Sequence, residues 1–81
     1  MKYPKIESVK ALSDMKLLVI FENCAQRIYD CGLLTDKEPF NQLQNESLFR
    51  MVQVDRGGYG IVWNDDIDLA ESELWINGMS T

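Results

Sequence analysis

The chain contains no histidine, and that one absence removes a large part of enzymology. Neither a Ser-His nor a Cys-His nucleophile pair can be assembled, and a general acid or base working near neutral pH has to be a carboxylate, lysine, tyrosine or cysteine with a displaced pKa. Cysteine is scarce as well: Cys24 and Cys31 are the only two, too few to hold zinc without histidine. If the residues from Gln26 to Cys31 form a strand, the pair lies about 20 Å apart along the chain at about 3.3 Å per residue, beyond disulfide reach. Both are read as free thiols of a reducing compartment. Cys31 reads as structural, and Cys24, beside Glu22 and Asn23 with no adjacent positive charge, reads as an inert turn thiol.

Long apolar runs are missing too. Nothing approaches the roughly 18 residues of a membrane span, and Met1-Lys2-Tyr3-Pro4 leads into no signal-peptide core. The expectation is a cytoplasmic protein with no membrane partner. Basic residues are in deficit, 8 against 13 acids for a net charge of -5, which argues against binding nucleic acid by neutralising phosphates. A chain of 81 residues supports a single domain over residues 1–81, with one modest core and no extended cleft.

What is present is concentrated between Phe49 and Gly78. Met51 to Val54 and Tyr59 to Trp63 carry strand-favouring residues, the second placing Tyr59, Ile61 and Trp63 on one face. Between them, Asp55-Arg56-Gly57-Gly58 offers two adjacent glycines for the positive φ of a tight reversal. The run from Asn64 to Asp68 reads as a turn. A short helix follows through Ile76, with Asp68 and Glu71 as its capping box, Leu74 and Trp75 turned inward, and Asn77-Gly78 as a left-handed cap.

Upstream, Pro4 suits a strand start, and Lys5 to Leu12 is a partly exposed strand whose uneven spacing of Ile6 and Val9 suggests a bulge or an edge. After a turn at Ser13-Asp14, Lys16 to Glu22 is apolar on both faces, the mark of a central strand covered at least partly on each side. Gln26 to Cys31 returns as a third strand. Pro39 fits the first position of a short helix carrying Phe40 and Leu43, and Asn45 fits the cap of a further turn with Leu48 and Phe49. The expected fold is α+β, an antiparallel meander of about five strands, with one or two short helices between strands 3 and 4 and a short C-terminal helix.

Taken together, Tyr3-Pro4, Leu17 to Phe21, Arg27-Tyr29-Asp30, Pro39-Phe40, Leu43, Val54-Asp55, Ile61-Trp63-Asn64, Ile67-Asp68-Leu69 and Glu73-Leu74-Trp75 make the chain resemble the domain of unknown function family 2442, small bacterial proteins. Two departures stand out. The turn Asn23-Cys24-Ala25 replaces the usual Asn or Asp followed by Gly, and Ala70 sits where Ser or Thr is frequent. The resemblance implies an α+β meander, occurring alone or joined to a helix-turn-helix domain for which this chain has no room. It also implies a gene often paired with another small one in toxin–antitoxin fashion. No catalytic residues come with it.

Two constellations could carry function. Asp65, Asp66, Asp68 and Glu71, with Asp55 and Glu73 nearby in sequence, are the only set able to offer several oxygens to Mg²⁺ or Ca²⁺. They do not match the calcium-loop spacing, and turn-forming and capping acids are the plainer reading. Arg56, Tyr59, Trp63 and Trp75 are the candidate partner-binding residues, since aromatics and arginine anchor interfaces. For both tryptophans the plainer reading is core. Arg56-Gly57-Gly58-Tyr59-Gly60 lacks the Lys-Ser/Thr ending of a phosphate loop and reads as a hairpin. The preferred function is a non-catalytic interaction or regulatory module acting on a protein partner or as a homodimer, without cofactor. The alternative is a metal- or small-ligand-binding domain or enzyme using the acidic run.

Overall fold

A computed structural model describes residues 3–81. Met1 and Lys2, the first two residues of the Met1-Lys2-Tyr3-Pro4 stretch read above, lie outside the described residues. In chain order the strands are β1 (Ile6–Ala11), β2 (Lys16–Phe21), β3 (Gln26–Asp30), β4 (Gln53–Val54), β5 (Gly60–Asn64), β6 (Ile67–Ala70) and β7 (Met79–Ser80). The α-helices are α1 (Glu46–Phe49) and α2 (Glu71–Asn77), and 3₁₀ turns cover Cys31–Leu34 and Phe40–Gln44. The class is α+β with antiparallel pairing, as expected. The strands number seven among the described residues, in two sheets of order β1-β2-β3-β7 and β4-β5-β6.

The meander β1-β2-β3 forms where its residues direct it. β1 is an edge strand with a register shift between Ile6 and Ser8, so the uneven spacing of its apolar residues marks both features. In β2, Leu17, Val19 and Phe21 are fully buried, while Leu18 and Ile20 on the other face are half-buried. That second face is therefore only partly shielded, which suffices to keep it apolar.

The segment between the sheets lids the core. Asn45 caps α1 as its residue type predicts, its Oδ1 accepting from the Ser47 and Leu48 amides at 3.0 and 3.3 Å. Pro39 sits one position earlier than expected, outside the 3₁₀ turn that begins at Phe40. Leu43 and Phe49 are buried from this segment.

Three expectations in the C-terminal third are corrected. Only Gln53–Val54 of the run from Met51 pairs in a ladder. Asp68 lies inside β6, opposite Val62, and caps nothing; α2 starts from Ala70 with no side-chain cap. The physical reason is local: Asn64 Oδ1 accepts from the amides of Asp66 and Ile67 at 2.9 and 3.1 Å, turning the chain early enough for Ile67 to Ala70 to add a strand. Finally, Gly78 is extended (φ -75, ψ 151) and not left-handed, because the chain must leave α2 directly into β7, which pairs with Arg27 and Ile28 of β3.

The two sheets share one core. Ile6, Leu17, Val19, Phe21, Tyr29, Leu43, Phe49, Ile61, Trp63, Ile67, Leu69 and Leu74 belong to a single buried cluster. Ile6 donates its amide to the Gly58 carbonyl at 2.8 Å, joining β1 to the β4–β5 hairpin. Helix α2 packs on both β3 and β6 and so bridges the sheets.

Candidate functional site

The hairpin and the aromatic residues are the first place to look. Gly57 and Gly58 adopt φ of 112° and 79°, the conformation the reversal demands. The Asp55 side chain accepts from the Tyr59 amide at 2.8 Å, closing the loop from within. Tyr59 lies just before β5 and is exposed, so it leaves the buried row of Ile61 and Trp63 in which the alternation placed it. Lys5 Nζ stands 5.0 Å from its ring centroid. Arg56 is exposed at the turn.

Trp63 is buried and Trp75 half-buried against the core. Trp63 is 5% exposed, stacks with Phe49 at 6.4 Å between centroids and donates its indole N–H to the Phe49 carbonyl at 3.1 Å. Trp75 meets Phe21 edge-on at 5.1 Å, and its ring face is covered by the Arg27 guanidinium at 3.9 Å. Neither ring is presented as part of one surface with Arg56 and Tyr59.

The acidic run is dispersed. Asp65 and Asp66 occupy the β5–β6 turn, Asp68 points outward from β6 and Glu71 opens α2. Among the described residues no three His, Cys, Asp or Glu side chains are close enough to hold a metal ion. Glu71 Oε2 is buried without a hydrogen-bond partner, but its residue is only half-buried.

The structure assembles a different feature from residues the sequence keeps far apart. At the end of the first sheet, β7 covers only Arg27 and Ile28 of β3. Beyond it opens a groove of about 440 Å³ between β3, the Cys31–Leu34 turn and α2. Ile28, Leu33, Leu34 and Met79 give it apolar walls, and Lys16, Tyr29, Asp30, Glu73 and Asn77 add polar groups. Leu33 and Met79 are 77% and 67% exposed. Ile76, 61% exposed, adjoins Asn77 and lies three residues from Glu73, on the same side of α2.

One wall of the groove is a hydrogen-bonded unit. Tyr29 Oη donates to Glu73 Oε2 at 2.7 Å, and Asn77 Nδ2 donates to the same oxygen at 3.0 Å. Burial, the hydrogen bond to Glu73 and the negative charges around it push the Tyr29 phenol well above its ordinary value. Cys31, at the start of the neighbouring turn, is pushed up to about 12 by burial and then by Asp30. It is a buried neutral thiol and not a nucleophile. Both cysteines are free, Cys24 exposed and Cys31 buried.

Sequence reasoning missed this groove. Its one legible hint is the Leu33-Leu34 pair after Gly32, which the 3₁₀ turn splits, leaving Leu34 half-buried and Leu33 exposed.

No helix among the described residues is long and apolar enough to cross a membrane. Neither curated proteins nor solved structures give a significant match to the chain. A family model does: the one described as "Protein of unknown function (DUF2442)" matches residues 6–79, from the first residue of β1 to the first of β7, and the chain belongs to that family.

Proposed function

We propose that this protein is a non-catalytic interaction module that works by docking on another protein. The observation that carries the reading is the distribution of exposed apolar side chains. Of the five large ones among the described residues, Leu33 and Met79 flank one groove, and Ile76 is on α2, the helix that forms one of its walls. Small proteins scatter single apolar residues over their surface, whereas a collected patch with polar residues at its rim is how a binding surface differs from the rest. Tyr59 and Arg56 on the hairpin are a secondary contact, while Trp63 in the core and the half-buried Trp75 packed against it support the fold.

The resemblance to a family whose members are often encoded beside a second small protein makes an adjacent gene product the first partner to test, in the manner of a toxin–antitoxin pair. The test is capture of the tagged full chain from its own host's lysate, read together with the solution mass of the purified protein. A saturable second protein at fixed stoichiometry supports the reading. A chain that stays a monomer or pairs only with itself, while normally expressed and with nothing attached, overturns it.

A further inference from the structure

The charge at the rim of the groove narrows what fits there, and this step rests on the interaction-module reading. Asp30 and Glu73 are the rim acids and Lys16 the single base, in a chain of net charge -5. Glu73 Oε2 is already engaged by Tyr29 and Asn77, and Asp30 Oδ1 by the Gly32 amide at 2.9 Å, so Glu73 Oε1 and Asp30 Oδ2 remain for an incoming donor. A second copy of this chain is a poor occupant. A two-fold interface sets each patch against itself, which would bring the rim carboxylates and two like-charged proteins together.

An added strand is also a poor occupant. The β3 edge is taken by β7 at Arg27 and Ile28, and β7 itself offers an outer edge of two residues. The walls are instead the side of a helix, a 3₁₀ turn and a strand end, with leucine, isoleucine and a flexible methionine projecting. That is the lining which receives the apolar stripe of an amphipathic helix.

We propose that the groove lined by Ile28, Leu33, Leu34 and Met79 receives a short basic amphipathic helix of a partner protein. The helix packs its apolar face between Leu33 and Met79 and sets a lysine or arginine against Glu73 and Asp30.

The test uses the full chain and three synthetic peptides of about 14 residues, roughly four helical turns: an amphipathic Leu/Lys helix, its Leu/Glu counterpart and a scrambled Leu/Lys sequence. Binding is followed by two-dimensional NMR of the labelled protein. The expected result is saturable shifts at Ile28, Leu33, Leu34, Asn77 and Met79 with the amphipathic Leu/Lys peptide only. Leu33→Asp should weaken that binding by about tenfold or more, and Glu73→Gln by several-fold, with the rest of each spectrum unchanged. Leu33→Asp makes the chain more acidic, so mere charge attraction would strengthen binding in that variant and overturn the proposal.

Equal binding of the Leu/Glu peptide, or shifts centred elsewhere, also overturns it. So do peptide-free, concentration-dependent shifts in the groove accompanied by a doubled mass, which give the site to a second copy. A host partner retained by Leu33→Asp would leave the interaction reading standing and remove only the groove. The absence of any host partner would remove the reading itself.

Discussion

The Tyr29 hydroxyl and the Glu73 carboxylate meet at 2.7 Å across 44 residues of sequence, tying β3 to α2 at the wall of the groove. A hydrogen bond to a charged acceptor contributes about 1.5–3 kcal/mol when well shielded, and this one is only part-buried. Tyr29→Phe should therefore lower the unfolding free energy by about 1 kcal/mol in urea titrations. Glu73 keeps Asn77 as a partner, so the m-value should not change.

Alkaline pH should unfold this protein through two groups. Tyr29 and Cys31 are both raised in the folded state, Cys31 from 9.0 to about 12. A group whose folded pKa is raised holds its proton more tightly when folded. Its contribution is complete below the unfolded value and is lost as pH climbs towards the folded one. Stability should be flat near neutrality and then fall from about pH 9, each group adding a slope of up to about 1.4 kcal/mol per pH unit within its window. Urea midpoints at several pH values, compared with Cys31→Ala, check this. The variant should start less stable yet lose less between pH 9 and 11.

Of the two glycines in the β4–β5 turn, Gly58 should be the less replaceable. Its φ is +79°, and an added Cβ would lie 2.7 Å from the Ile6 carbonyl oxygen, whereas at Gly57 it would meet only the Tyr59 ring at 3.1 Å. Tyr59 is exposed and its ring can swing away; the Ile6 backbone cannot. Gly58→Ala should cost about 2–4 kcal/mol, combining backbone strain with a weakened Ile6–Gly58 hydrogen bond. Gly57→Ala is strained by its own φ of +112° but meets no backbone atom, and should cost less. Thermal melts of both variants separate them.

The elements that sequence made legible are those whose cause is local. The β4–β5 hairpin follows from Gly57-Gly58, α1 from the Asn45 cap, and the meander from the alternation in Leu17 to Phe21. The acids after Asn64 were misleading because Asp68 is equally suited to a cap and to the outward face of a strand. The alternation of buried Ile67 and Leu69 with exposed Asp68 and Ala70 runs for only four residues.

Asn77-Gly78 fits a left-handed cap, but part of what requires glycine there is non-local: besides the Leu74 carbonyl of its own helix, an added Cβ would meet the Arg27 side chain of β3. β7 and the groove share that origin. Both depend on residues near 28 meeting residues near 79, and no window of sequence contains the two.

Cys24 is a defect that the turn's chemistry identifies. It stands at φ 70°, between the second and third strands, in the left-handed region that favours glycine. A left-handed residue with a Cβ is strained by roughly 1–2 kcal/mol, and because Cys24 is exposed no packing is lost on removing it. Part of the relief is offset by the greater freedom of glycine in the unfolded chain. Cys24→Gly should raise stability by up to about 1 kcal/mol, while Cys24→Ala should bring no gain. Equal effects from the two variants would mean that the thiol, and not the backbone, is responsible.

Arg27 accounts for why Trp75 is not the exposed anchor its residue type suggests. The guanidinium lies 3.9 Å from the indole centroid, and its Nε donates to the Trp75 carbonyl at 3.4 Å, so the ring face is occupied from within. Stacking of this kind contributes about 0.5–2 kcal/mol and includes the packing of the arginine stem. Arg27→Ala should cost about 1–2 kcal/mol, and Arg27→Lys less than that. The two indole N–H signals in a nitrogen–proton spectrum supply the internal control. The Trp75 signal should move in both variants, while that of Trp63, held on the Phe49 carbonyl at 3.1 Å, should stay in place. Movement of both would mean that Arg27 supports the whole core, since Phe21 beneath Trp75 belongs to the same buried cluster as Phe49 and Trp63.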